Sequence, residues 1–348
     1  MKIEKLEWLK KITLKQVAMM CVMMVVIYFV ATPFVTTDAP DQTNMVGSMG
    51  ASYEVTPQEE THTVFARHTS GYMVKTEIVQ DLDASLVASI FTGIQMGSER
   101  LADNVEGLIP MGAVLRDYQT DNGILTLNLS ESFLYYRSGV EDQLLTSLVW
   151  SMTALPHIER VHFQIEGESV TNLNGPTDVG RGLTRAMGIN LETDGTPLSQ
   201  TQMIMLYFFT NEAENPHLIP VTRLISRNED PFEHAVGALV RGPIGADYIS
   251  VFNHQATLLE QPKLENGIMT LNFSSDLFFD QAQTQVSSQV IKQLVMTLTE
   301  FDEITEVSVV VEGSSRVFDD AGNPITVPVG RQMVLSGEMN AVPMVKEY

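Results

Sequence analysis

The residues of this 348-residue chain with the most obvious chemical potential recur in pairs. Glu166-Gly167 and Glu312-Gly313 each close an apolar stretch. Two carboxylates held roughly 5–9 Å apart would be the acid–base pair of a glycosidase. The rest of such a site is missing from the neighbouring sequence, so each glutamate is read as a polar strand terminus before a turn. Asp319-Asp320-Ala321-Gly322-Asn323-Pro324 has the acid content of a calcium loop. It lacks the alternate-residue ligand ladder and the distal glutamate, and its residue types are those of a β-turn.

The seven histidines, His62, His68, His157, His162, His217, His234 and His254, are scattered. His62 and His68 stand nearest to a cluster, without an acid or cysteine at ligand spacing. Gly180-Arg181-Gly182 lacks the third glycine of a dinucleotide fingerprint and lies between predicted domains. The chain has no phosphate-cradling Walker loop, no His-Glu-x-x-His and no nucleophile elbow. Its one cysteine, Cys21, sits in an apolar run, which removes disulfide and thiolate chemistry from the remainder. Asn128-Leu129-Ser130 and Asn272-Phe273-Ser274 fit a glycosylation sequon but fall within predicted strands. The sequence therefore nominates no catalytic, cofactor-binding or metal-ligating residue, and no cofactor.

Charge narrows the partners. The net charge is −22, with +3 in residues 1–16 and −25 in the rest. So acidic a body repels phosphate backbones, which excludes nucleic acid as a direct partner. Val17 to Val35 contains no charged residue, and nineteen residues at 1.5 Å rise match the roughly 30 Å hydrocarbon core. Lysines before it and Asp38 and Asp41 after it orient the N-terminus inside. An uncleaved signal anchor is expected at 17–35, after a basic cytoplasmic segment at 1–16. Residues 36–60, rich in Thr, Gly, Pro and acids, read as an extracytoplasmic linker. The expected location is the cell membrane, single-pass, with the folded domains outside the cytoplasm.

The elements that would position any site come in two sets. Residues 122–130 (NGILTLNLS) match 266–274 (NGIMTLNFS), and residues 148–167 match 294–313 in the same order. That spacing indicates duplicated domains, expected at 61–196 and 200–335 with a tail at 336–348, and not a solenoid. In the first copy, strands are predicted at 63–67, 73–79, 108–115, 124–129 and 161–165, with helices at 83–92 and 140–153. In the second, strands are predicted at 203–209, 218–225 and 307–311. Asp230-Pro231-Phe232-Glu233 opens a helix whose apolar stripe is Phe232, Ala235, Val236, Leu239 and Val240, and Gly242-Pro243 ends it. Asn266-Gly267 marks a hairpin, and 286–299 a second amphipathic helix with Val290, Leu294, Val295 and Leu298 inward.

The ordered pieces Met205-Leu206-Tyr207-Phe208, Leu218–Arg223, Ala238–Pro243, Met269–Ser274, Leu298–Phe301 and Val307–Gly313 resemble the GerMN domain of the GerM family of sporulation and germination proteins. The first copy contributes Leu108–Gly112, Leu127–Ser130 and Val161–Gly167. The resemblance covers residues 60–335. It implies an α+β fold: two tandem copies of a small domain, each with two helices packed on a three- to four-stranded sheet, ring-building-motif-like, preceded by one transmembrane helix. It also implies an assembly role at the membrane around a developing spore, although such domains occur in envelope lipoproteins of non-sporulating bacteria too. Two departures stand out: no lipobox precedes Cys21, and Thr92-Gly93-Ile94 replaces the Leu-x-x-Gly-Pro helix end in the first copy.

The function expected is that of a non-enzymatic, membrane-anchored envelope protein. It acts through protein–protein contacts with envelope or ring-forming partners, or with itself. The alternatives are a peptidoglycan-binding or wall-modifying module and a sensor-kinase adaptor. Copies set side by side would cover their free sheet edges by repeating one heterologous contact, which closes into a ring when the rotation permits.

Overall fold

Short apolar strands punctuated by Asn-Gly and Glu-Gly turns set the architecture. The computed structural model describes residues 60–337, apart from 194, 196, 213–215, 246, 247, 281, 283, 326 and 327. The expected signal anchor, the basic segment before it and almost all of the linker and tail lie outside the described residues. Among the described residues no helix is long and apolar enough to cross a membrane.

The first copy opens with β1 (Thr61–His68) and β2 (Met73–Val79), an antiparallel pair. Next come α1 (Leu86–Gly93), capped by Ser85, and β3 (Val105–Glu106), which returns to β1. β4 (Leu115–Asp121) and β5 (Ile124–Leu129) form a hairpin across Asn122-Gly123. Both turn residues have positive φ, +46° and +80°, which is why Asn and Gly occupy them. After α2 (Glu141–Met152) the chain adds β6 (Arg160–Ile165) parallel to β5, and then β7 (Glu168–Ser169).

The second copy repeats the order. β8 (Glu192–Thr193) comes from the connection and lies parallel to β10 (Leu218–Ser226), the partner of β9 (Thr201–Thr210). α3 (Pro231–Arg241) and β11 (Tyr248–Ile249) follow. The hairpin of β12 (Lys263–Glu265) and β13 (Ile268–Phe273), α4 (Ser288–Leu298) and β14 (Glu306–Val311) build the second sheet. A small hairpin, β15 (Val317–Phe318) with β16 (Pro324–Ile325), then β17 (Val329–Gly330) and α5 (Arg331–Ser336), complete it.

Among the described residues each copy therefore holds two main sheets, not the single three- to four-stranded sheet expected, and the second copy has the β15-β16 hairpin besides. The main sheets are β2-β1-β3 and β4-β5-β6-β7 in the first copy, and β11-β9-β10-β8 and β12-β13-β14-β17 in the second. The physical reason is the central helix. From Leu144 to Met152 every residue of α2 is buried, and the helix packs against both β1 and β6. α4 does the same between β9 and β14. A helix covered on every side needs a sheet on each side of it.

A second correction concerns 108–115. This run is irregular; Pro110 has no N–H to give a ladder, and Gly112 turns the chain at φ +90°. The strand is Leu115–Asp121, exposed at every position but the first. α3 matches expectation, with Asp230 Oδ1 accepting from the Glu233 N–H at 2.8 Å.

The two cores interlock. Tyr72, just before β2, and Val74 within it belong to the second copy's apolar cluster, and Met205 of β9 packs against the first. Val179 and Ile189, from the connection between copies, are buried in the first core.

Candidate functional site

The duplicated carboxylates are placed identically and separately. Glu166 and Glu312 stand at φ +49° and +50°, each in its own sheet's terminal turn. Glu166 Oε1 accepts from the Glu131 N–H, and Glu312 Oε1 from the Ser275 N–H, both at 3.0 Å. Beside them, Asn128 and Asn272 accept from the N–H groups of Gly167 and Gly313. Arg116 donates to Glu166 and, with the Glu131 N–H, holds its carboxyl below the usual range. These residues fasten turns, so the structure does not bring the two glutamates into one acid–base pair.

Asp319–Pro324 is the turn between β15 and β16. The buried Asp319 carboxylate accepts from the N–H groups of Ala321 and Asn323, while Asp320 caps α4 through the Ser288 N–H. The histidines stay apart: His62 bonds Gln80, His162 the Arg181 carbonyl, and His254 the Val240 carbonyl. A groove of about 630 Å³ along α3 does bring His234 and His254 to one surface with Glu229 and Glu233. Among the described residues no three His, Cys, Asp or Glu side chains are grouped to hold a metal ion.

Polar groups converge instead at the junction of the two copies. The outer edge of β2 faces the first half of β10, short of the Arg223–Leu224 stretch that β8 covers, and Asn190 fills the gap at φ +46°. Its Oδ1 accepts from the Met73 N–H at 2.7 Å, and its Nδ2 donates to the carbonyls of Met73 at 2.7 Å and Pro220 at 2.9 Å. Next to it, Ile189 and Thr222 exchange bonds. Glu192 and Arg223, each about 5% exposed or less, form a buried ion pair with Arg223 Nε donating at 2.8 Å. The other Glu192 oxygen accepts from the Ile244 N–H and the Tyr248 hydroxyl. Burial, with Glu192 alongside, pushes the Tyr248 hydroxyl pKa far up. His68 stacks on Tyr72 with ring centres 4.7 Å apart. Its Nδ1 accepts from the Ser70 N–H, leaving Nε2 to donate to Glu212 of the second copy at 3.2 Å.

Each copy also carries the same arginine clamp. Arg185 bonds Thr153 Oγ1 and the Trp150 carbonyl; Arg331 bonds Thr299 Oγ1 and the Met296 carbonyl. Both guanidiniums thus neutralise the negative end of the central helix. Arg331 adds Glu300, which also accepts from Tyr207; burial, then Glu300, raises that phenol's pKa. A cavity of about 210 Å³, lined by Arg185, Met203, Thr222 and Glu300, lies between the copies at this point.

The polar side chains of the junction and the clamps join surfaces, each bonded to a fixed partner. Sequence reasoning missed Asn190, Glu192–Arg223 and the clamps. One signal was present, since Arg223 is the lone charge within the mostly apolar LIPVTRLIS strand.

A family model described as Germane, sporulation and spore germination, matches residues 52–171 and 205–317. The spore germination protein GerM of Bacillus subtilis (strain 168) is 29% identical over 240 residues, 67% of this chain and 66% of that protein. The match thus spans just under two thirds of that relative's own length. The solved structure of the tandem GerMN domains of the sporulation protein GerM from Bacillus subtilis is similar at a TM-score of 0.69 and 26% identity. The likeness covers 78% of this chain and 98% of that one.

Proposed function

The chain belongs to the Germane family of sporulation and spore germination proteins, and from that premise we propose that it is a non-enzymatic assembly protein of the cell envelope. It is anchored in the membrane by residues 17–35, with the tandem domains outside the cytoplasm. There it takes part, through protein–protein contacts, in a complex formed during sporulation or germination. The observation that carries this reading is the junction. The buried ion pair, the asparagine plug and the shared core hold the two domains in one compact unit, and their polar groups are bonded to one another.

The test has two arms. In a sporulating host, deleting the chain is expected to reduce the size of an envelope complex on native electrophoresis, while the purified protein releases no fragment from peptidoglycan. Turnover of peptidoglycan with complexes unchanged in size would overturn the reading. Orientation is tested by adding protease to intact protoplasts, which is expected to remove the folded domains; their protection would reverse the topology. Cys21→Ser is expected to leave membrane attachment intact, because hydrophobic length suffices.

A further inference from the structure

We propose that a second copy of this chain docks on the outer edge of β4, by antiparallel pairing of β4 with itself about a two-fold axis through Tyr118. This rests on the assembly reading above and names its contact surface. β4 is the edge of the sheet β4-β5-β6-β7, seven residues long and exposed from Arg116 onward. Among the described residues nothing hydrogen-bonds to its outer side.

Which groups point outward follows from the hairpin. The two-residue Asn122-Gly123 turn makes Asp121–Ile124 a hydrogen-bonded pair, as is Gln119–Thr126 beyond it. Thr120 and Tyr118 therefore aim their N–H and C=O groups away from the sheet, ready for another strand. The equivalent edge in the second copy is guarded. β12 has only three residues, Pro262 precedes it, and Lys263 stands on it in an ion pair with Glu260.

Charge selects the occupant and the register. A strand paired antiparallel with its own copy must have its axis on a residue, so that each face meets the same face. Centred on Tyr118, the two tyrosines oppose each other, Arg116 meets Thr120, and Asp117 meets Gln119. No like charges meet. Centred on Gln119, Asp117 would oppose Asp121 twice, and centred on Asp117, two aspartates would meet directly; both are unfavourable. The irregularity at Arg116 twists the strand and ends the pairable stretch there. The contact between β2 and β10 is already used within the chain, so it is not open to a second molecule.

The test uses the full chain with Cys21→Ser, in its membrane, carrying a single new cysteine. Two hydrogen-bonded residues on such an axis have Cα atoms about 5.5 Å apart, within disulfide reach. Tyr118→Cys is expected to give a covalent dimer on oxidation, and Leu264→Cys on β12 is not. Without cysteines, Gln119→Lys, facing Asp117 of the second copy, is expected to strengthen self-association in sedimentation. Gln119→Asp is expected to weaken it, each by roughly three- to tenfold. Both substitutions lie on an exposed position, and unchanged melting confirms the fold. Equal cross-linking at 118 and 264, no dimer at 118, or a cross-link from 118 to a different protein each overturns the proposal. Should an envelope complex still shrink on deletion of the chain in that event, the assembly reading stands while this contact falls.

Discussion

Asn190 completes three hydrogen bonds between strands of different copies, from a backbone conformation few residues adopt. Asn190→Ala leaves one buried N–H and two carbonyls without their partner, so a loss of about 2–3 kcal/mol is expected in urea unfolding. Asn190→Asp should fare no better, since it keeps the acceptor and loses both donated bonds. For the buried ion pair, Glu192→Gln or Arg223→Met alone should cost about 3–5 kcal/mol by stranding a charge, and Arg223→Met with Glu192→Leu should recover part of it. Alkaline pH should act through the phenols of Tyr207 and Tyr248, both raised by burial, and through Tyr136, whose hydroxyl donates to buried Glu141. Burial, with Glu141 beside it, pushes the Tyr136 pKa from 10 to about 12. Between those values the folded state keeps a proton that the unfolded state releases. Stability is then fully present below about pH 10 and falls as pH rises toward about 12. Tyr136→Phe should remove that residue's share of the fall, read as a smaller shift in urea midpoint between about pH 9 and about pH 11. Glu166 and Glu312 were legible because the duplication printed them twice at matching turns. Asn190 was not, because its role exists only across the gap between two strands distant in sequence.

Helix α3 shows what an amphipathic pattern reveals, and α4 what it conceals. The stripe read from Phe232 to Val240 places Leu239 inward, where it is fully buried, and Leu294 of α4 is equally so. Leu239→Ala and Leu294→Ala should each cost about 2–5 kcal/mol, with equal melting to the parent counting against the assigned faces. Asp230→Ala should cost about 1 kcal/mol through the lost cap. The inward faces of the central helices were visible, but their opposite faces are buried as well, through Gln293 and Thr297 in α4 and Ser147 and Ser151 in α2. Small polar residues that bond a strand look like a solvent face in sequence: Ser147 and Ser151 pair with the Phe65 backbone. That disguise hid the second sheet. β4 was hidden for the opposite reason, since a strand exposed on both faces has no alternation to read.

Across the whole molecule, the shared core predicts one cooperative transition. Tyr72 and Val74 belong to the first copy by sequence but to the second copy's interior. Calorimetric and van't Hoff enthalpies of the full chain should therefore agree for the folded domains, and Asn190→Ala should bring them apart as the copies melt separately. Within the chain the two copies meet through equivalent strands, β2 and β10. In separate molecules such a pair would be a homodimer, present or absent according to how many molecules share a compartment. Built into one polypeptide, it survives any dilution, and a cell making only a handful of these molecules still has every one of them paired. Abundance can then govern only what happens at other surfaces. The amount of protein expressed sets how far the pairs associate further, and never whether the pairs exist.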